Sequence, residues 1–119
     1  LTDVTDTTTN WVTDYYAAWD SADVDRIVNW FADDIVLEDV PMAHVASGPE
    51  QAREFVEHAI ALTPGTTYEV VNSVVTDDAF ATEWIMRPAG LRGSSVGAIR
   101  DGKIVNNRDY WNAGGRSEM

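Results

Sequence analysis

The stretch Trp30–Met42, WFADDIVLEDVPM, holds four acids within the span from Asp33 to Asp39. Asp33 and Asp34 read as a turn, because aspartate side chains bond to nearby backbone and so favour turns. Residues 35–39, IVLED, read as a strand: the run is apolar, partly β-branched and too short for a helix. It finishes in paired carboxylates just before Val40 and Pro41. Successive strand side chains point to opposite faces, so Glu38 and Asp39 diverge. In one reading Asp39 enters an enclosed pocket and Glu38 faces solvent. In the other Asp39 is an exposed turn acid before a proline.

Around this strand the chain divides by periodicity. Residues 1–9 are polar and Thr-rich and read as a flexible tail; residues 10–119 read as one domain. From Asn10 a helical stripe runs through Trp11, Val12, Tyr15, Tyr16 and Trp19. The DSAD break at 20–23 offers Ser21 or Asp23 as the next N-cap. Val24, Ile27, Val28 and Phe31 then fall on one face of a second, short helix. VPMAHVASG (40–48) reads as a loop. Pro49 opens a third helix, where its missing N–H costs nothing, with Ala52, Phe55, Val56, Ala59 and Ile60 on its core face. After the TPG stop at 63–65 come strands at 66–76, 79–87, 95–99 and 103–112, with Gly90 and Gly93 in a turn. Helices in the first half and strands in the second predict an α+β fold. Three helices should pack on one face of a curved antiparallel sheet.

At 119 residues, with 45% hydrophobic and 24% charged composition, the chain can bury a full core. Its net charge is −12, from 20 acids and 8 bases. That argues against nucleic acid and anionic lipid as partners. Residues 1–39 hold ten acids and one base, Arg26, which reads as a solvated acidic face. No apolar run reaches the roughly 20 residues of a membrane span. The absence of Cys removes disulfides and thiolate metal sites. With no basic, apolar leader, the expected compartment is the cytoplasm. His44, in the loop, and His58, on the third helix, lack a second His at ligand spacing and read as structural or solvent-exposed. No glycine-rich phosphate loop or nucleophile elbow occurs. No metal and no cofactor are expected.

Three segments carry a family resemblance. YYAAWDSADVDRIVNWFADDIVLEDVP resembles the opening of ketosteroid isomerase. VPMAHVASGPEQAREFVE resembles the limonene-epoxide hydrolase group. DGKIVNNRDYWN resembles the last strand of the epoxide hydrolases and the SnoaL-like polyketide cyclases. Together they are similar to the cone fold these enzymes share with nuclear transport factor 2, over about residues 10–112. The isomerase resemblance implies Asp39 as general base and Tyr15 as a donor to an oxyanion, with Ser95 near the place of a second, acidic donor. The hydrolase resemblance implies Asp109 as a site acid, whereas the Arg and second Asp of that pattern fall at Trp84 and Met86.

The residues carry a parallel argument. Asp109 shares a strand face with Val105, Asn107 and Trp111, while Arg108 and Tyr110 point away. A carboxyl among apolar neighbours loses hydration, and its pKa rises. If Asp39 shares the cavity, one acid stays neutral and donates while the other accepts a proton. The alternative pairs Asp109 with Arg87, Arg100 or Arg108. Phe80, Thr82, Trp84 and Met86 form a mostly apolar face of a central strand. The expected catalytic set is Asp39, Asp109 and Tyr15. The expected pocket wall is Trp19, Phe31, Met42, Phe55, Trp84, Met86 and Trp111. The function expected is a cofactor-independent enzyme acting on a small lipophilic molecule by carboxylate acid–base chemistry, SnoaL-like or epoxide-hydrolase-like. The alternatives are a proton-shuttling isomerase or a non-catalytic small-molecule binder. A homodimer is expected through the outer sheet face, which should carry Ile85, Ile104 and Tyr110.

Overall fold

The stripe expected from Asn10 docks as a helix, and burial follows it closely. In the computed structural model, which describes residues 2–112, helix α1 (Thr2–Ser21) buries Val12, Tyr15 and Tyr16 and half-buries Trp11 and Trp19. The helix begins at Thr2 rather than Asn10, so the polar stretch read as a tail continues it. Extending a docked helix adds one bond per residue fixed, whereas nucleation carries the cost. Residues 113–119 of the expected domain lie outside the described residues.

Asp23 is the N-cap of α2 (Val24–Val28), its Oδ1 accepting the Arg26 N–H at 3.3 Å. Phe31 fits the helical spacing but opens strand β1 (Phe31–Asp39) instead. The sheet claims it: the Ile104 N–H donates to the Trp30 carbonyl at 2.8 Å, and Phe31 pairs with Ile104. Asp33 and Asp34 are exposed strand residues, not a turn, in the segment where the β1 register shifts between Phe31 and Val36. Asp34 pairs there with Arg100 at 2.6 Å.

The expected loop after β1 is a tight turn followed by strand β2 (His44–Ser47), antiparallel to the end of β1. Its alternation, with Ala46 buried opposite Leu37, is too brief to read from four residues. Helix α3 (Gly48–Leu62) has Pro49 in its first turn, and Gln51 Oε1 reaches back to accept the N-cap Ser47 N–H at 2.9 Å. Ala52 and Val56 are buried.

Strands β3 (Thr67–Val75), β4 (Ala79–Arg87), β5 (Leu91–Arg100) and β6 (Lys103–Trp111) form an antiparallel meander. Gly93 lies within β5 rather than in a turn. It is needed for close approach: a Cβ there would sit 2.5 Å from Cη2 of Trp84. The sheet order is β2-β1-β6-β5-β4-β3, with β1 and β6 parallel, so the sheet is mixed rather than wholly antiparallel. Helices α1 and α3 pack on one face, against β3 and β1.

A register shift in β6 alters the expected faces. Ala98 pairs with Asn106 but Ile99 pairs with Ile104, which leaves Val105 as an extra residue. A bulge of this kind interrupts alternation. Ile104 therefore turns inward and is buried, while Val105 leaves the inner face of Asn107. The expectation that Ile104 belongs to the outer face and Val105 neighbours Asp109 fails for this reason. Among the described residues no helix is long and apolar enough to cross a membrane.

Candidate functional site

The inner face of the sheet carries a polar row that its register assembles. Thr82 pairs with Ser95, Ser95 with Asp109, Asp109 with Asp39, and Asp39 with His44, from β4 across to β2. Around this row lies a cavity of about 170 Å³. That is below the roughly 300–1,000 Å³ of drug-sized sites, so its occupant is small. Tyr15, Tyr16 and Trp19 from α1, Phe55 from α3, and Tyr68, Trp84 and Trp111 from the sheet give it aromatic walls. Tyr68 stands nearly perpendicular to Trp84 at a centroid distance of 5.3 Å, forming a corner. The Tyr68 backbone N–H donates to Asp20 Oδ1 at 2.8 Å, which ties this wall to the end of α1.

Both carboxylates line the cavity, and each has its Oδ1 held. Asp109 Oδ1 accepts from Ser95 Oγ at 2.6 Å and Asn107 Nδ2 at 2.8 Å. Asp39 Oδ1 accepts from Trp111 Nε1 at 2.8 Å. Burial pushes the Asp109 carboxyl up to about 6; the Ser95 and Asn107 donors oppose this, and the charge of Asp39 adds to it. The bland alternative for Asp109 is removed. Arg87 pairs with Glu69 at 2.8 Å, Arg100 with Asp34, and Arg108 Nε donates to Tyr110 Oη at 3.3 Å. No Lys or Arg is among the described residues lining the cavity.

Three phenols line the cavity, Tyr15, Tyr16 and Tyr68, and all are held neutral. Burial raises Tyr15 well above the ordinary tyrosine range, with Tyr16 and Asp109 adding to the shift. Burial likewise pushes Tyr16 up to about 12, and its Oη lies 2.7 Å from Thr82 Oγ1. Tyr68 is also raised, by burial first and then by the charge of Asp109.

Of the expected residues, Asp39, Asp109, Tyr15, Trp19, Phe55, Trp84, Met86 and Trp111 meet at this cavity. Phe31 does not: it packs into the core, its ring 6.5 Å from that of Tyr15. Its place in β1 rather than α2 puts it away from the site. Met42 is 61% exposed in the β1–β2 turn and is not among the residues lining this cavity. Glu38 lies on the opposite strand face and is partly exposed. His44 and His58 are exposed, as expected, yet both border the cavity, and the His44 ring stacks on Phe55 at 5.1 Å. Sequence reasoning passed over Tyr16, Tyr68 and Asn107 as site residues. Asn107 was legible through its shared face with Asp109; Tyr68 depends on how α1 docks on β3, which no local pattern encodes. Among the described residues no group of three His, Cys, Asp or Glu is arranged to hold a metal.

A SnoaL-like domain model matches residues 12–107. No curated protein matches the chain. Solved structures share the fold at low identity. A SnoaL-like protein of unknown function from Burkholderia thailandensis is 17% identical with a TM-score of 0.79, over 89% of this chain and 95% of that one. A hypothetical protein from Catenulispora acidiphila with a ketosteroid isomerase-like fold, in complex with trimethylamine, is 18% identical with a TM-score of 0.77, over 86% of this chain and 85% of that one. A protein proposed to be a polyketide cyclase, from Sinorhizobium meliloti, is 20% identical with a TM-score of 0.73, over 83% of this chain and 92% of that one.

Proposed function

The chain belongs to the SnoaL-like domain family, and from that premise we propose that it is a cofactor-independent enzyme that moves a proton on a small, largely apolar molecule. The observation that carries this reading is the Asp39–Asp109 pair, in register on adjacent strands and lining one aromatic cavity. In the proposed reaction Asp39 takes a proton from an acidic C–H or from an attacking water. Protonated Asp109 donates to the substrate oxygen that gains charge. Tyr15, held neutral by burial, is a second donor to that oxygen. An acid whose pKa lies near 6 is poised to work close to neutral pH. A further apolar occupant would desolvate it more and keep its proton in place. Isomerisation, cyclisation and epoxide opening all use this pair of transfers. The standard epoxide hydrolase set is not reproduced, because Trp84 and Met86 stand where its Arg and Asp would be.

Deuterium exchange tests the reading without knowledge of the substrate. A panel of small cyclic ketones and enones is incubated with the protein in D₂O and followed by NMR. Exchange at the carbon beside the carbonyl that is lost in Asp39→Asn supports the proposal. Ligands that bind in the cavity yet never exchange, cyclise or open refute it.

A second reading is favoured by one observation: the Catenulispora acidiphila neighbour is in complex with trimethylamine. A cavity with two carboxylates and aromatic walls, and with no Lys or Arg among the described residues lining it, also suits a small apolar ammonium, through charge and ring faces. On that reading the domain is a non-catalytic binder. Choline and its neutral isostere 3,3-dimethyl-1-butanol separate the two: preference for choline supports the binder, preference for the alcohol the enzyme.

We also propose a homodimer through the outer sheet face. Val74, Ala81, Val96 and Tyr110 line an open groove of about 780 Å³ there, and Val74 is 63% exposed.

A further inference from the structure

Asp109 is held by a chain of donors that runs in one direction. Trp84 Nε1, which can only donate, donates a hydrogen bond to Ser95 Oγ at 2.9 Å. Ser95 Oγ carries a single proton and lies 2.6 Å from Asp109 Oδ1, to which it donates. With the indole on its lone pair, the hydroxyl is left to aim its proton at Asp109. Asn107 Nδ2 brings a second donor to the same oxygen at 2.8 Å. Among the described residues no hydrogen bond reaches Asp109 Oδ2.

The arrangement has a cost. Ser95 and Asn107 are both buried, and among the described residues Asn107 Oδ1 has no hydrogen-bond partner. An orphaned buried acceptor is unfavourable, yet the amide keeps the orientation that aims its donor at Asp109. Gly93 adds to the same end. Its missing side chain leaves the space that the Trp84 ring occupies, directly across the β4–β5 ladder.

We infer that Ser95, oriented by Trp84, is a positioning residue that reserves Oδ2 of Asp109 as the oxygen exchanging a proton with the ligand. An oxygen that already accepts two hydrogen bonds is the poorer proton site, so the proton goes to the other. The donors at Oδ1 also stabilise the charged form and hold its proton affinity below what burial alone would set. Asp109 therefore loses its proton from Oδ2 to the ligand and is left as a carboxylate already solvated by Ser95 and Asn107. This rests on the reading of Asp109 as the proton donor, but the wiring itself is measured without any substrate.

The test is a ¹³C NMR titration of the Asp109 carboxyl in the ligand-free protein. Ser95→Ala is expected to raise the midpoint from about 6 by roughly one unit, the size of one charge-assisted hydrogen bond. Ser95→Thr keeps the hydroxyl and is expected to return the midpoint to the wild-type value. Trp84→Phe frees the hydroxyl to rotate, and a smaller rise is expected. A folded Ser95→Ala protein with an unmoved or lowered midpoint overturns the inference. So does a Trp84→Phe protein that titrates as wild type, which keeps the question decidable if Ser95→Ala fails to fold. Absence of catalysed deuterium exchange would sink the proposed enzyme while leaving these midpoints as stated, so the two failures are distinguishable.

Discussion

Replacing Asp109 by Asn is expected to stabilise the protein above neutral pH while removing its activity. The folded carboxyl is raised from 3.8 to about 6, chiefly by burial. At 1.36 kcal/mol per unit, ionising it in the folded state costs on the order of 2–3 kcal/mol relative to the unfolded chain. The folded pKa is the higher one, so the unfolded state releases its proton first as pH rises. Wild-type stability therefore declines between about pH 4 and pH 6 and then levels off. Asn cannot ionise, so the variant escapes that decline. Its carbonyl oxygen can take the place of Oδ1 and still accept from Ser95 and Asn107, so the donors are not orphaned. The two proteins should melt together at pH 4. At pH 8 the variant should melt higher, by about 4 °C for each kcal/mol in a domain of this size. Circular dichroism melts at unit steps from pH 4 to pH 8 measure this. A variant that melts lower at pH 8, by an amount that does not change with pH, would refute the reasoning: Asp109 would then be a structural acceptor and not a strained acid.

Three further outcomes follow from the same geometry. Asp39→Asn should leave the melting temperature nearly unchanged, because an amide oxygen still accepts from Trp111 Nε1. Turnover should fall by about 10²–10⁴, and wild-type rates would eliminate Asp39 as the base. Gly93→Ala should force the Trp84 ring away and destabilise by about 1–3 kcal/mol. The readout is denaturant unfolding followed by tryptophan fluorescence, and an unchanged midpoint would count against close packing at this position. Sedimentation equilibrium at micromolar concentration should give a dimer for the wild type and a monomer for Val74→Asp, whereas a wild-type monomer removes the outer-face interface.

The parts legible in sequence were those that a single element determines. The α1 stripe, the capped start of α2, the Pro49 opening of α3 and the strand alternation around Asp109 each depend on local spacing, and each appears where the spacing puts it. The errors fall where two elements compete for the same residues. Phe31 satisfied a helical period, but pairing with Ile104 in a strand far along the chain took it into β1. Asp33 and Asp34 had turn chemistry, but an irregular strand segment with a partner in Arg100 accommodates them without a turn. Gly93 had the marks of a turn residue, and its actual reason is the Trp84 ring across the ladder.

Val105 shows how far such an effect reaches. One extra residue in β6 leaves the face assignments of Asn107, Asp109 and Trp111 intact and inverts those before it. The site half of the strand was therefore read correctly by alternation, and the core half was not. Because of that inversion, Ile104 is buried in the core while Asp109 remains on the cavity wall of the same strand face. Without the bulge, an inward Asp109 would place Val105 inward and Ile104 in solvent. The bulge thus lets β6 fill the core with Ile104 at one end and present an acid at the other. The parallel β1–β6 pairing completes the arrangement, because it sets Asp39 directly beside Asp109. Neither acid's neighbour is fixed by its own strand, and the pair exists only once the strands that come first and last in the chain meet side by side in the sheet.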